Sequence, residues 1–134
     1  MEKFTIARAD DEEVRRVDKR FPKRVFRQGA DPDPRFSLAN ERTFLAWIRT
    51  SLALVAAGVA LEALDVPIDP RFRVAAAAVF VALGLLAAVQ SWVGWVRTEA
   101  AMRAGRSLPG PAIGAVIAVG LVVAVVLVVI GSFL

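Results

Sequence analysis

Residues 112–134 read AIGAVIAVGLVVAVVLVVIGSFL, and this run decides the fold. No charged residue occurs from Ser107 to Leu134. A bilayer core of roughly 30 Å is crossed by about 20 helical residues, which the run supplies. Its many Val and Ile do not argue for strands. An open sheet in lipid leaves edge N–H and C=O groups unpaired, and three such segments cannot close a barrel. Working outward, Val74–Val96 is also uncharged and ends in Trp92 and Trp95, whose rings suit the headgroup boundary. A third stretch, Thr43–Leu61, is just long enough to span, with Arg49 inside it. Ser37 reads as its N-cap and Asp65-Val-Pro67 as its stop. The fold class is therefore an all-α integral membrane protein with three transmembrane helices, at about 38–64, 72–96 and 110–133.

Mean hydropathy is +0.56 although 22% of residues are charged. The average hides a split: 19 of the 30 charged residues lie in positions 1–41. Residues 1–34 thus read as a polar, basic and partly amphipathic cytoplasmic head with a Pro-rich linker, and residues 35–134 as the three-helix domain. The linker is Gly29-Ala30-Asp31-Pro32-Asp33-Pro34, where two X-Pro steps resist helix. The first long apolar run begins about forty residues in, beyond a normal signal-peptide n-region, so the head is expected to stay on the mature protein.

Lys and Arg near the spans give a direction. Arg15, Arg16, Lys19, Arg20, Lys23, Arg24 and Arg27 precede span one, and Arg97, Arg103 and Arg106 follow span two. The loop between spans one and two holds Glu62, Asp65, Asp69, Arg71 and Arg73, net −1. The N-terminus is expected inside and the C-terminus outside. Anionic lipid attracts basic residues at the inner leaflet by about 1 kcal/mol each, and Val14, Val17, Phe21 and Val25 recur near helical spacing. A short amphipathic helix on the inner leaflet and a solvated tail both satisfy this pattern. Nucleic acid is not an expected partner, because residues 1–41 are nearly balanced, with ten basic and nine acidic side chains. The Arg97–Arg106 loop reads either as a topology determinant or as a docking surface.

Span one carries the functional signal. At 100° per residue, Arg42, Ala46, Arg49, Ala53, Ala56 and Ala60 form one seam. Arg49 lies about 9 Å beyond Thr43 along the axis, at a depth where an arginine costs on the order of 3 kcal/mol or more. Three arrangements relieve it: snorkelling to lipid phosphates, pairing inside the bundle with Glu41 or Gln90, or lining an anion-attracting vestibule built from several copies. Glu41 lies about 100° from the arginine seam and can face a neighbouring helix or favour the helix dipole. Asn40 and Thr43 can hydrogen-bond between helices or help the helix begin. Gly84-xxx-Ala88 and Gly110-xxx-Gly114 read as close-packing sites.

Chemistry is limited by composition. The chain has no His, Cys or Tyr, so it offers no thiol, imidazole base or His/Cys metal site, and no metal or cofactor is expected. It has no carboxylate pair suited to general acid–base work and no Gly-rich phosphate loop, so no enzyme is expected.

The stretch Arg35-Phe-Ser-Leu-Ala-Asn-Glu-Arg-Thr-Phe-Leu-Ala-Trp-Ile-Arg-Thr50 resembles the YidH-type small bacterial inner-membrane proteins, a family of unknown function. Ala57-Gly58, Arg97-Thr-Glu99, Ala101-Met102-Arg103 and Leu108-Pro109 extend the resemblance, which covers about Arg35 to the end. The same core resembles the transmembrane domain of the vacuolar transporter chaperone proteins. There, three-helix subunits form a ring that passes polyphosphate, and basic residues of the first helix line the path. By motif this implicates Arg42, with Glu41 as its neighbour. The sequence carries no counterpart of that family's cytosolic polymerase domain, so the resemblance bears on architecture more than on substrate. Together the residues and the resemblance give two expectations: a homo-oligomeric conduit or binding site for anions such as phosphate-rich polymers, or a structural protein that organises lipids or a partner through its basic face.

Overall fold

The computed structural model describes residues 20–27, 29–108, 110 and 113–134. Among them are a single turn, α1 (Lys23–Phe26), and three long helices, α2 (Pro34–Ala63), α3 (Pro70–Arg103) and α4 (Ile113–Gly131). All three long helices are long and apolar enough to cross a membrane. Arg15, Arg16 and Lys19, with Val14 and Val17 of the amphipathic pattern, lie outside the described residues.

The starts of α2 and α3 use one device twice. Asp33-Pro34-Arg35-Phe36 and Asp69-Pro70-Arg71-Phe72 each place Asp at the N-cap and Pro at the first helical position. The Asp33 carboxylate accepts from the Arg35 N–H at 2.9 Å, and that of Asp69 from the Arg71 N–H at 3.0 Å. Proline is pre-organised there, since its missing N–H would be unpaired in any case. This corrects the sequence reading. Ser37 is not the N-cap of α2, and the second X-Pro step of the linker starts the helix instead of resisting it. A residue before proline must be extended, which is the conformation an N-cap needs.

α2 and α3 therefore run for 30 and 34 residues, or about 45 and 51 Å, and their ends project beyond a roughly 30 Å hydrocarbon core. α4, with 19 residues, is about 29 Å long and matches that core. The stretch 97–103 is helix and not loop, because nothing breaks α3 before Gly105, which turns the chain at φ 61°.

α3 is the central helix: α2 and α4 both pack along it, and no backbone contact joins α2 to α4. Lipid tails give no hydrophobic drive between helices, so close packing and hydrogen bonds hold them. A Cβ on Gly58 would lie 2.8 Å from the Ala77 carbonyl oxygen, and one on Gly84 would lie 2.9 Å from that of Ser51. Ser51 Oγ donates to the Gly84 carbonyl at 2.7 Å. On α4, Gly120 seats Leu83, and Gly131 seats Phe72 and Ile68. A Cβ on Gly110 or Gly114 would have no atom of another element within 4 Å, so the close packing expected at the start of span three is not made among the described residues. Leu54, Leu83, Ala87 and Ile117 form a small buried core where the three helices meet. At the far end the Asp69 N–H donates to the Gly131 carbonyl at 2.9 Å, and Arg73 pairs with Glu62 at 3.6 Å.

Candidate functional site

The arginine seam faces away from the bundle. Residues of α2 buried against α3 are Asn40, Ser51, Leu54 and Gly58. Arg49 lies about 180° around the helix from Gly58, and Arg42 about 160°. Arg42, Ala46, Arg49, Ala53 and Ala56 are exposed, and Ala60 is half-buried. Neither arginine makes a hydrogen bond or ion pair among the described residues, so pairing of Arg49 with Glu41 or Gln90 does not occur within the chain. Of the three arrangements expected for Arg49, pairing within the bundle is the one the described residues do not make.

The polar residues expected to support the seam are gathered elsewhere, on either side of the junction of α2 and α3. Asn40, Thr43 and Gln90 line one groove of about 270 Å³, with Ser91, Arg97 and Thr98. Glu41 lines a second groove of about 290 Å³ beneath the N-terminal segment. Phe44, Trp92 and Trp95 also line this second groove, and Trp92 stacks on Trp95 at 5.5 Å and on Phe21 at 6.2 Å. Thr43 Oγ1 donates to its own helix at the Ala39 carbonyl and makes no interhelical bond among the described residues.

Beyond the tryptophans lies a buried charge cluster that the sequence reading missed. Glu99 and Arg103 stand one helical turn apart, each with a side chain only 3% exposed, and pair at 3.4 Å. Ser37 Oγ donates to Glu99 Oε1 at 3.1 Å. Asn40 Nδ2 donates to the Trp95 carbonyl at 3.1 Å and to Glu99 Oε2 at 3.5 Å. Arg103 Nη1 reaches Asp31 Oδ1 at 2.8 Å, and its guanidinium lies 4.6 Å from the centre of the Phe26 ring. Arg20 holds the same Asp31 at 3.4 Å, and its guanidinium also lies over the Phe26 ring, 4.7 Å from the centre. The hydrogen bond from Arg103 keeps the Asp31 carboxyl below its ordinary value, with Arg20 adding to the effect and burial opposing it. A Cβ on Gly29 would collide with the Arg103 carbonyl, and Gly29 has φ 67°, so the segment before α2, a strap across the end of α3, approaches that helix where only glycine fits. The available signal was the acid–base spacing Glu99, Arg103 on a helix continuing past Trp95. Lys23, Arg24 and Arg27 of the strap are exposed.

Residues 35–101 match the family model described as Domain of unknown function (DUF202). The chain belongs to the DUF202 family. The DUF202 match covers α2 and nearly all of α3, including Asn40, Glu41, Arg42, Arg49 and Glu99; the strap and α4 lie outside it. Inner membrane protein YidH of Escherichia coli K12 is 45% identical over 91 residues, which cover 64% of this chain and 76% of the relative. An uncharacterized protein of Mycobacterium tuberculosis H37Rv is 43% identical over 94 residues, 69% of this chain and 77% of the relative. No solved structure matches this DUF202 chain. The three apolar helices agree with the membrane location in the relative's name.

Proposed function

We propose that this small multi-pass inner-membrane protein assembles with copies of itself and forms a conduit or binding site for anions, phosphate-rich polymers among them, with Arg42 and Arg49 supplying the field. The observation that carries this reading is the exposed, unpaired arginine–alanine seam on the face of α2 opposite α3. One three-helix subunit is too thin to enclose water. Several copies with their seams inward would make a hydrated path, and rings of arginine select anions. Bound anions, water or Glu41 of a neighbouring copy would offset repulsion between the rings. The resemblance to the ring-forming polyphosphate family supports the same arrangement. The basic strap and Arg97, Arg103 and Arg106 support an inside N-terminus and outside C-terminus. Nothing in the composition favours an enzyme, and we infer a non-catalytic role.

Flux through liposomes tests the reading. The purified chain is expected to pass anions, and Arg42→Ala and Arg49→Ala are each expected to reduce the flux. No flux in the parent, or flux unchanged from the parent in both variants, favours the second reading, a structural protein organising lipids or a partner. The exposed basic strap residues Lys23, Arg24 and Arg27, held to α3 through Asp31 and Arg103, support that alternative.

A further inference from the structure

The groove shared by α2 and α3 on the Gln90 side has no residue in common with the seam, and its chemistry is distinct. Ser91 is 3% exposed, and its Oγ has no hydrogen-bond partner among the described residues. A buried hydroxyl without a partner forfeits roughly the worth of a hydrogen bond, and such a group in a native structure calls for an unseen partner. Gln90 and Thr98, which line the same groove, also make no side-chain hydrogen bond among the described residues. Arg97 is exposed, makes no ion pair among them, and is the one charged residue lining the groove. Gln90 and Arg97 stand two turns apart on one face of α3, and Gly94 lies between them. A Cβ on Gly94 would have only Gln90 Nε2 within 4 Å, at 3.9 Å, so the missing side chain leaves room and not a packing contact. The groove's 270 Å³ is just below the usual ligand-pocket range of about 300–1,000 Å³, a size for a small polar group. Its level, beside Trp92 and Trp95, is that of the lipid headgroups.

We propose that this groove binds a phosphoryl group, presented by an anionic phospholipid of the adjoining leaflet: Arg97 pairs with its charge, Gln90 and Thr98 donate to its oxygens, and the Ser91 hydroxyl, shut off among the helices, turns about its Cα–Cβ bond into the groove to donate as well. Positive side chains between transmembrane helices are suited to such headgroups, and the buried, unpartnered Ser91 hydroxyl separates a built site from a general surface attraction. Inorganic phosphate carries the same chemistry from solution and is the second arm of the test.

The full chain is placed in phosphatidylglycerol bilayers and extracted gently, and retained lipid is counted by native mass spectrometry. Inorganic phosphate binding is followed in parallel by titration. Arg97→Gln is expected to cut retention about tenfold and Ser91→Ala about fivefold, while Arg97→Lys keeps most of it. Gly94→Val fills the groove without removing any polar group and is expected to abolish retention with helicity unchanged. Phosphate binding that is lowered by Arg97→Gln, Ser91→Ala and Gly94→Val, without lipid retention, assigns the phosphoryl group to solution and upholds the site. Equal retention by the parent, Gly94→Val and Ser91→Ala, or binding of neither probe, overturns the proposal.

Discussion

Asp31, in the strap before α2, holds Arg103 at the far end of α3 through a 2.8 Å ion pair. The two residues are remote in sequence, and the contact ties the N-terminal segment to the end of the central helix. Arg103 also pairs with Glu99, so one buried guanidinium serves two carboxylates.

Breaking this cluster on one side is expected to be costly. Arg103→Ala strands the buried Glu99 carboxylate, and removal of one partner of a buried pair typically costs about 3–5 kcal/mol. Thermal unfolding in detergent measures it. The apolar double replacement Glu99→Leu/Arg103→Met, which leaves no buried charge unpaired, is expected to lie closer to the parent than either single variant. A double variant as unstable as the sum of the two would contradict the pairing.

The strap is expected to respond to acid and not to ordinary pH. The Asp31 carboxyl lies below its ordinary value of 3.8 when latched. The latch's contribution is then fully present above that ordinary value and is lost as pH falls through the lowered one. Protease cleavage within residues 20–33 is expected to be constant between about pH 5 and 8. Asp31→Asn is expected to raise cleavage at neutral pH. Cleavage in Asp31→Asn equal to the parent's would show that the ion pair does not hold the strap.

Gly58 and Gly84 set the distance between α2 and α3. Adding a side chain at either forces backbones apart, and overpacking of this kind costs about 1–3 kcal/mol. Gly84→Val is therefore expected to be the more harmful change, since it also removes the approach that lets Ser51 bond the Gly84 carbonyl. Ser51→Ala alone is expected to cost only about 0.6 kcal/mol. Unfolding in sodium dodecyl sulfate titrations ranks the three.

The repeated Asp-Pro-Arg-Phe start makes a local prediction. Asp69→Ala removes the carboxylate that caps Arg71 N–H and is expected to cost about 1 kcal/mol, as is Asp33→Ala at α2. Asn at either position is expected to restore most of the loss. An Asn variant no better than Ala would argue against capping.

The three spans were legible because length and hydropathy alone decide what crosses lipid. Their ends were not. The X-Pro pattern marks Pro34 as a helix breaker, whereas position N1 tolerates it, and the polar run Arg97 to Arg103 looks like loop, whereas α3 carries it onward. The seam was legible as a 100° pattern, but periodicity says which residues share a face and not which way that face turns. Only the packing of Gly58 and Ser51 on α3 turns Arg42 and Arg49 outward. Asn40, Thr43 and Gln90 belong together but with Arg97, a convergence across two helices that no single-helix pattern contains. Ser91 carried no signal at all, because its meaning lies in a hydroxyl left without a partner.

Water at the seam is the central claim. The chain has no cysteine, so single cysteines report without background. In native membranes, Ala53→Cys and Ala56→Cys on the seam are compared with Val122→Cys on the exposed face of α4, using a membrane-impermeant thiol reagent. Thiols ionise and react only where water reaches them. The seam cysteines are expected to be modified and Val122→Cys protected. Seam cysteines as unreactive as Val122→Cys would place Arg42 and Arg49 against acyl chains and contradict the conduit.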